Sequence, residues 1–358
     1  MNPALTAPEG TPMTSMPRPA VDPELHALLA GMPLVERMDE QILAQLRALP
    51  SPSPDSLLAG RRVVRREVDV PAEDGAAVRL SVLHPADRDP GVPAPCVYWM
   101  HGGGMVLGDR FGQIDIPLEW LERFGVVVVT VEYRLAPEAT GTAAVEDCHR
   151  GLAWVAAHAG ELGVDPGRIV VAGISAGGGL AAGLCLLARD RGTPAIAAQL
   201  LICPMLDHRN VTISSRQYSG EPGVWTRETN EFAWRTLLGG RDDGEVSPYV
   251  SPARATDLSG LPTAYVDNGS AEVFRDEDVA YASAIWAAGG QAELHVWAGG
   301  PHGFDAQFPQ AELAVTARRT RGEWLGRVLR GAAAAAPTAA AAPVTAGGAV
   351  AADGSADR

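Results

Sequence analysis

The chain has 358 residues, 46% hydrophobic and 20% charged, a composition that suits one large α/β domain with decorations. Its formal net charge of -14 argues against nucleic acid or an anionic membrane as the main partner. All 29 basic residues are arginine, which excludes a Schiff-base lysine mechanism.

Residues 1–20 are rich in Pro, Thr and Ala and read as disordered. They lack the basic segment and apolar run of a secretory signal, so a cytoplasmic location is expected. No apolar run approaches the roughly 20 residues of a membrane span, so no stable membrane anchoring is expected. Asp22-Pro23-Glu24 is a helix start: a capping acid, proline at the first position, an acid in the first turn. Leu25, Leu28 and Leu29 give that helix an apolar face. A second helix is expected over Val35 to Leu49, with Ile42, Leu43, Leu46 and Leu49 at helical spacing. Ser51-Pro52-Ser53-Pro54 then breaks the chain. Two helices before any strand read as cap helices over 21–55, ahead of a catalytic domain over 56–330.

Arg62 to Val70 and Val78 to Leu83 alternate apolar and polar, as half-exposed antiparallel strands do, with a turn at Glu73-Asp74-Gly75. Cys96 to Met100, Val126 to Val131, Ile169 to Ala172 and Gln199 to Cys203 are continuously apolar, as buried parallel strands are. Thr263 to Asp267 and Glu293 to Trp297 complete eight strands. Helical patterns separate them at Pro117 to Arg123, Ala143 to Ala159, Ala176 to Arg189 and Asp276 to Ala288. The alternation implies a mostly parallel sheet with helices on both faces. An insertion at about 207–240, helical from Thr226 to Leu238, interrupts it and would join the N-terminal helices in a cap. Trp225, Phe232 and Trp234 are its candidates to line an acyl pocket, or to pack the cap against the core. The tail over 331–358 is Ala-rich low complexity and reads as disordered. Cys96, Cys148, Cys185 and Cys203 lack metal or disulfide spacing and read as buried thiols. No metal-ligand cluster is found and no cofactor is implied.

Serine needs a base to take its proton, an acid to orient that base, and donors for the oxyanion. Gly173-Ile174-Ser175-Ala176-Gly177 stands between an apolar strand and a small-residue helix. Its glycines permit a sharp turn that holds the Ser175 hydroxyl at a helix N-terminus. His101-Gly102-Gly103-Gly104 follows a strand and can turn backbone N–H groups toward a substrate oxygen. His101 itself reads as structural. His302, in Gly300-Pro301-His302-Gly303-Phe304, follows the last strand and is the candidate base; His295 alternates within a strand, and His149 and His158 fall on a helix surface. Asp267, Glu272, Asp276 and Glu277 are the carboxylates after the preceding strand, with Asp276 and Glu277 also explained as helix-start acids.

These motifs, with Tyr133-Arg134-Leu135-Ala136-Pro137-Glu138 and Phe274-Arg275-Asp276-Glu277, resemble the hormone-sensitive-lipase-like branch of the α/β-hydrolases, the bacterial carboxylesterases. The likeness spans about Asp22 to Leu329. It implies an α/β-hydrolase fold with a helical cap, and a serine hydrolase of short- to medium-chain esters. It assigns the nucleophile to Ser175, the base to His302 and the oxyanion donors to Gly103, Gly104 and Ala176. The acid, usually aspartate four residues before the Asp-Glu pair, falls on Glu272. The resulting order of nucleophile, acid and histidine is that of the superfamily. A small-molecule ester is the implied partner, and a homodimer is compatible with the resemblance. Two departures stand out. Ile174 occupies a position often held by aspartate, and Ala139-Thr140-Gly141-Thr142 replaces an aromatic, proline-containing loop. Arg134 and Glu138 read as residues that order that loop.

Overall fold

In a computed structural model, residues 16–335 are described, apart from 72–74, 76 and 242. The segments expected to be disordered therefore lie largely outside the described residues, as does most of the turn at Glu73-Asp74-Gly75. The strands are β1 (Val63–Pro71), β2 (Ala77–Pro85), β3 (Ala94–Met100), β4 (Val127–Glu132), β5 (Val164–Ile174), β6 (Ala198–Ile202), β7 (Thr263–Gly269) and β8 (Ala292–Trp297). They form one eight-stranded sheet in the order β1-β2-β4-β3-β5-β6-β7-β8. β2 pairs antiparallel with β1 and β4; the other pairings are parallel.

The alternation of side chains along each strand feeds two cores. Cys96, Tyr98 and Met100 of β3 face one, and Val97 and Trp99 face the other. The helices are α1 (Pro23–Leu29), α2 (Glu40–Arg47), α3 (Pro54–Leu58), α4 (Asp115–Phe124), α5 (Ala143–Ala157), α6 (Ala159–Leu162), α7 (Ala176–Arg191), α8 (Ile213–Gln217), α9 (Arg227–Leu238), α10 (Arg275–Ala287), α11 (Phe304–Gln307) and α12 (Glu312–Ala335). Helices α5, α7 and α10 cover the first core, through Leu152, Leu184 and Ile285 among others. Helices α4 and α12 cover the second, through Trp120 and Trp324. Each such large apolar side chain, fully buried, contributes about 1.5–3 kcal/mol before entropy is set against it.

Several boundaries differ from the sequence expectation. The second helix begins at Glu40, because the Asp39 side chain caps it by accepting from the Ile42 N–H. Val35 lies outside it and bridges Gly223 of the insertion instead. The proline-rich break contains a short helix, since Ser53 caps it and Pro54 occupies its first turn. Helix α12 had no counterpart in the sequence reading, and it runs to Ala335, into the stretch read as tail. Its inward positions Ala314 and Ala317 are small and contact Leu25 and Phe304, so it lacks a leucine stripe there.

The insertion and the N-terminal arm meet. The Thr226 hydroxyl donates to Glu36 O at 2.6 Å, and Gln217 Nε2 donates to Pro17 O at 2.6 Å. The Arg18 guanidinium lies over the Tyr218 ring.

Candidate active site

The loops after β3, β5, β7 and β8 leave the same edge of the sheet, where their strands' C-terminal ends lie. Ser175 follows β5 with φ +57° and ψ -119°, a strained conformation for a residue with a side chain. The flanking glycines make the turn possible. A β-carbon on Gly173 would stand 2.2 Å from Gly177 O, and one on Gly177 would stand 2.1 Å from Met100 O.

His302 Nε2 is 2.9 Å from Ser175 Oγ, and His302 Nδ1 is 2.8 Å from Glu272 Oε2. The Glu272 and His302 side chains are 0% and 8% exposed, so solvent barely weakens this chain of contacts. Glu272 Oε2 also accepts from the Phe274 N–H, at 3.3 Å. The Phe274 ring stands edge-on to the imidazole, 5.1 Å between centroids. The N–H groups of Gly103, Gly104 and Ala176 donate to no acceptor among the described residues.

The rival carboxylates are engaged elsewhere. Asp267 pairs with Arg321 at 2.9 Å, and both side chains are 1% exposed. It also accepts from Tyr265 and Trp297. Burial raises its carboxyl, against the pull of the Arg321 charge. Asp276 accepts from the Ser214 N–H, and Glu277 from the Leu206 and Asp207 N–H groups. Burial holds Glu277 well above the usual carboxylate range. It does the same for Asp278, helped by the neighbouring charges of Glu272 and Glu277.

His101 is buried, stacked 4.3 Å from the Tyr133 ring, with Nδ1 2.7 Å from Gly102 O. His295 stacks between Tyr265 and Trp297 along the sheet. All four cysteines are buried and free, and burial pushes the Cys96 thiol up to about 12, so no thiolate competes with the serine. Arg134 chelates Asp147, and Glu138 pairs with Arg47 of α2 at 2.7 Å. Arg47 also donates to Val106 O and Ala136 O, which ties the N-terminal arm to the glycine loop.

The cavity at Ser175 measures about 150 Å³. Gln113, Ile174, Val224, Trp225 and Gln307 line it, with Gly102, Gly103 and the His302 loop. Trp225 fills the space that a Gly104 side chain would need, at 2.5 Å from the ideal β-carbon. Phe232 does not line the cavity. It is 3% exposed, packed within the first core beneath the Arg235 guanidinium. Trp234 stands edge-on to His208 at a separate surface cleft. Gln113 and Gln307 escaped the sequence reading, since a lone glutamine in a loop carries no pattern. A larger cleft of about 410 Å³, at Leu46, Arg47 and Glu138, has Ser51 in its lining but no histidine there to activate it.

Residues 97–306 match the model of a family described by the alpha/beta hydrolase fold. Esterase LipI of Mycobacterium tuberculosis is 34% identical, over 79% of this chain and 87% of its own. Carboxylesterase NlhH of the same organism is 32% identical, over 77% of this chain and 86% of its own. A solved bacterial heroin esterase superposes with a TM-score of 0.79 at 37% identity, covering 87% of this chain and 98% of its own. With the fold, the relatives and the matched segment in agreement, the chain belongs to the α/β-hydrolase fold family, in its hormone-sensitive-lipase-like branch.

Proposed function

We propose that this carboxylic-ester hydrolase works through an acyl-enzyme on Ser175. The unbroken contact chain from Ser175 Oγ through His302 to Glu272 carries the reading. His302 Nε2 takes the hydroxyl proton as Ser175 attacks the ester carbonyl. The free N–H groups of Gly103, Gly104 and Ala176 receive the oxyanion. His302 then protonates the leaving alcohol, and water releases the acid by the same route. Glu272 holds the imidazole tautomer and offsets the charge that forms on it.

The cavity of about 150 Å³ is smaller than the roughly 300–1,000 Å³ typical of drug-sized ligands. It supports short acyl groups, below about ten carbons. Among the described residues no helix is long and apolar enough to cross a membrane. The reading takes a free small-molecule ester in the cytoplasm as substrate.

Hydrolysis of 4-nitrophenyl acetate, butyrate, octanoate and palmitate by wild type and Ser175→Ala tests it. Rates should fall along the series, and Ser175→Ala should lose at least about 10⁴-fold in kcat. Full turnover by Ser175→Ala would end the mechanism, and a preference for palmitate would end the short-acyl reading.

A further inference from the structure

The cavity contains more polar function than ester cleavage needs. Gln113 has φ +52°, left-handed backbone that a side chain rarely adopts. Its side-chain Oε1 accepts the Gly102 N–H at 3.0 Å. That bond fixes which way the amide faces, since Gly102 N can only donate. The Gln113 Nε2 group then has no acceptor among the described residues, although the side chain is half-buried and lines the cavity. An ideal β-carbon on Gly102 would stand 3.4 Å from Ser175 Cβ and 3.5 Å from Gln113 Oε1, so the amide sits beside the nucleophile. Gln307, at the same cavity, also has no side-chain partner among the described residues. A half-buried amide held in a strained conformation, with its donors unspent, is a recognition group awaiting an acceptor.

We propose that Gln113 is a specificity residue, whose Nε2 donates to an acceptor oxygen on the substrate close to the scissile ester. The inference rests on the ester-hydrolase reading and narrows its substrate class. The favoured substrates are uncharged esters with an ether, hydroxyl or carbonyl oxygen about two bonds from the reacting carbon or about three from the ester oxygen. Hydrocarbon esters of the same shape leave the amide unpaired. Charged acids are excluded from the class, because no arginine lines the cavity and the Glu272 charge lies behind it.

Isosteric ester pairs test this. On the acyl side, 4-nitrophenyl methoxyacetate is compared with 4-nitrophenyl butyrate. On the alcohol side, 2-methoxyethyl butyrate is compared with butyl butyrate. The readout is the ether-to-hydrocarbon ratio of kcat/KM in wild type, Gln113→Glu and Gln113→Met. Intrinsic reactivity and general damage cancel when the ratio is compared across enzymes. Gln113→Glu retains the acceptor for Gly102 and removes the donor; Gln113→Met removes both. The ratio should fall about three- to tenfold in both variants for at least one pair, the loss expected for one neutral hydrogen bond. The pair that responds identifies the fragment occupying the cavity. Equal ratios in all three enzymes for both pairs would overturn the proposal. If wild type cleaves none of the four esters, the ester-hydrolase reading fails and this inference falls with it.

Discussion

Two buried carboxylates at one sheet edge have opposite lives. Glu272 meets a histidine, and Asp267 meets an arginine. The arginine is permanently charged, so the Asp267 pair is a fixed clamp; burial pulls Arg321 down, but the neighbouring Asp267 and Asp305 charges outweigh it and raise Arg321 further. Arg321 also holds Asp305 at 2.8 Å, and so fastens the end of β7 to the short helix after His302. The histidine can accept and release a proton, and its far nitrogen touches Ser175. Two buried histidines repeat the contrast. His302 stands between a hydroxyl and a carboxylate, whereas His101 stands against a carbonyl and a phenol, with Nε2 unpartnered. What a titratable side chain touches decides whether it does chemistry or holds shape.

The largest effect should come from exchanging the two acids' fates. Glu272→Gln should lower kcat by about 10³–10⁴-fold, through loss of the tautomer and of the compensating charge. Its melting temperature should move little. Asp267→Asn should do the reverse, with turnover near wild type and about 3 kcal/mol lost from unfolding stability, because Arg321 loses a buried partner. Denaturant unfolding and 4-nitrophenyl butyrate turnover on both variants read this directly. An inactive but stable Asp267→Asn would collapse the distinction.

A smaller effect sharpens the histidine pair. Burial holds His101 below its ordinary value of 6.5. The unfolded chain therefore binds its proton first, and stability falls as pH drops below about 6.5, until the folded value is passed. The slope attributable to His101 is at most about 1.4 kcal/mol per pH unit. It should be absent from His101→Gln, and the difference between wild-type and variant stabilities from pH 7 to pH 5 measures it.

Much of this was legible because it depends on local pattern. The apolar runs marked the buried strands, and the glycines around Ser175 and His101 marked backbone packed against backbone. Glu272 was reached through the family resemblance, which puts the acid four residues before the Asp276-Glu277 pair; the residues by themselves left Asp267 standing. What separates the two acids is Arg321, on a helix whose first turns bury only alanines and whose buried arginines look like surface charge in sequence. Phe232 was misplaced because helical spacing shows that a face is apolar without saying whether packed core or open cavity lies beneath it. Gln113 was missed because its backbone conformation and the direction of its amide exist only in three dimensions.

The roof over the cavity is assembled from segments remote in sequence. Val35 meets Gly223, and Pro17 meets Gln217, whereas most neighbouring strands of the sheet are joined by single crossovers. Closing such long loops costs entropy that the shorter crossovers of the sheet do not incur, so the roof is the part of the molecule that opens first. The latch between the arm and the insertion thus sets an operating limit distinct from the melting point. In mild urea, turnover should vanish while the far-ultraviolet dichroism of the sheet persists.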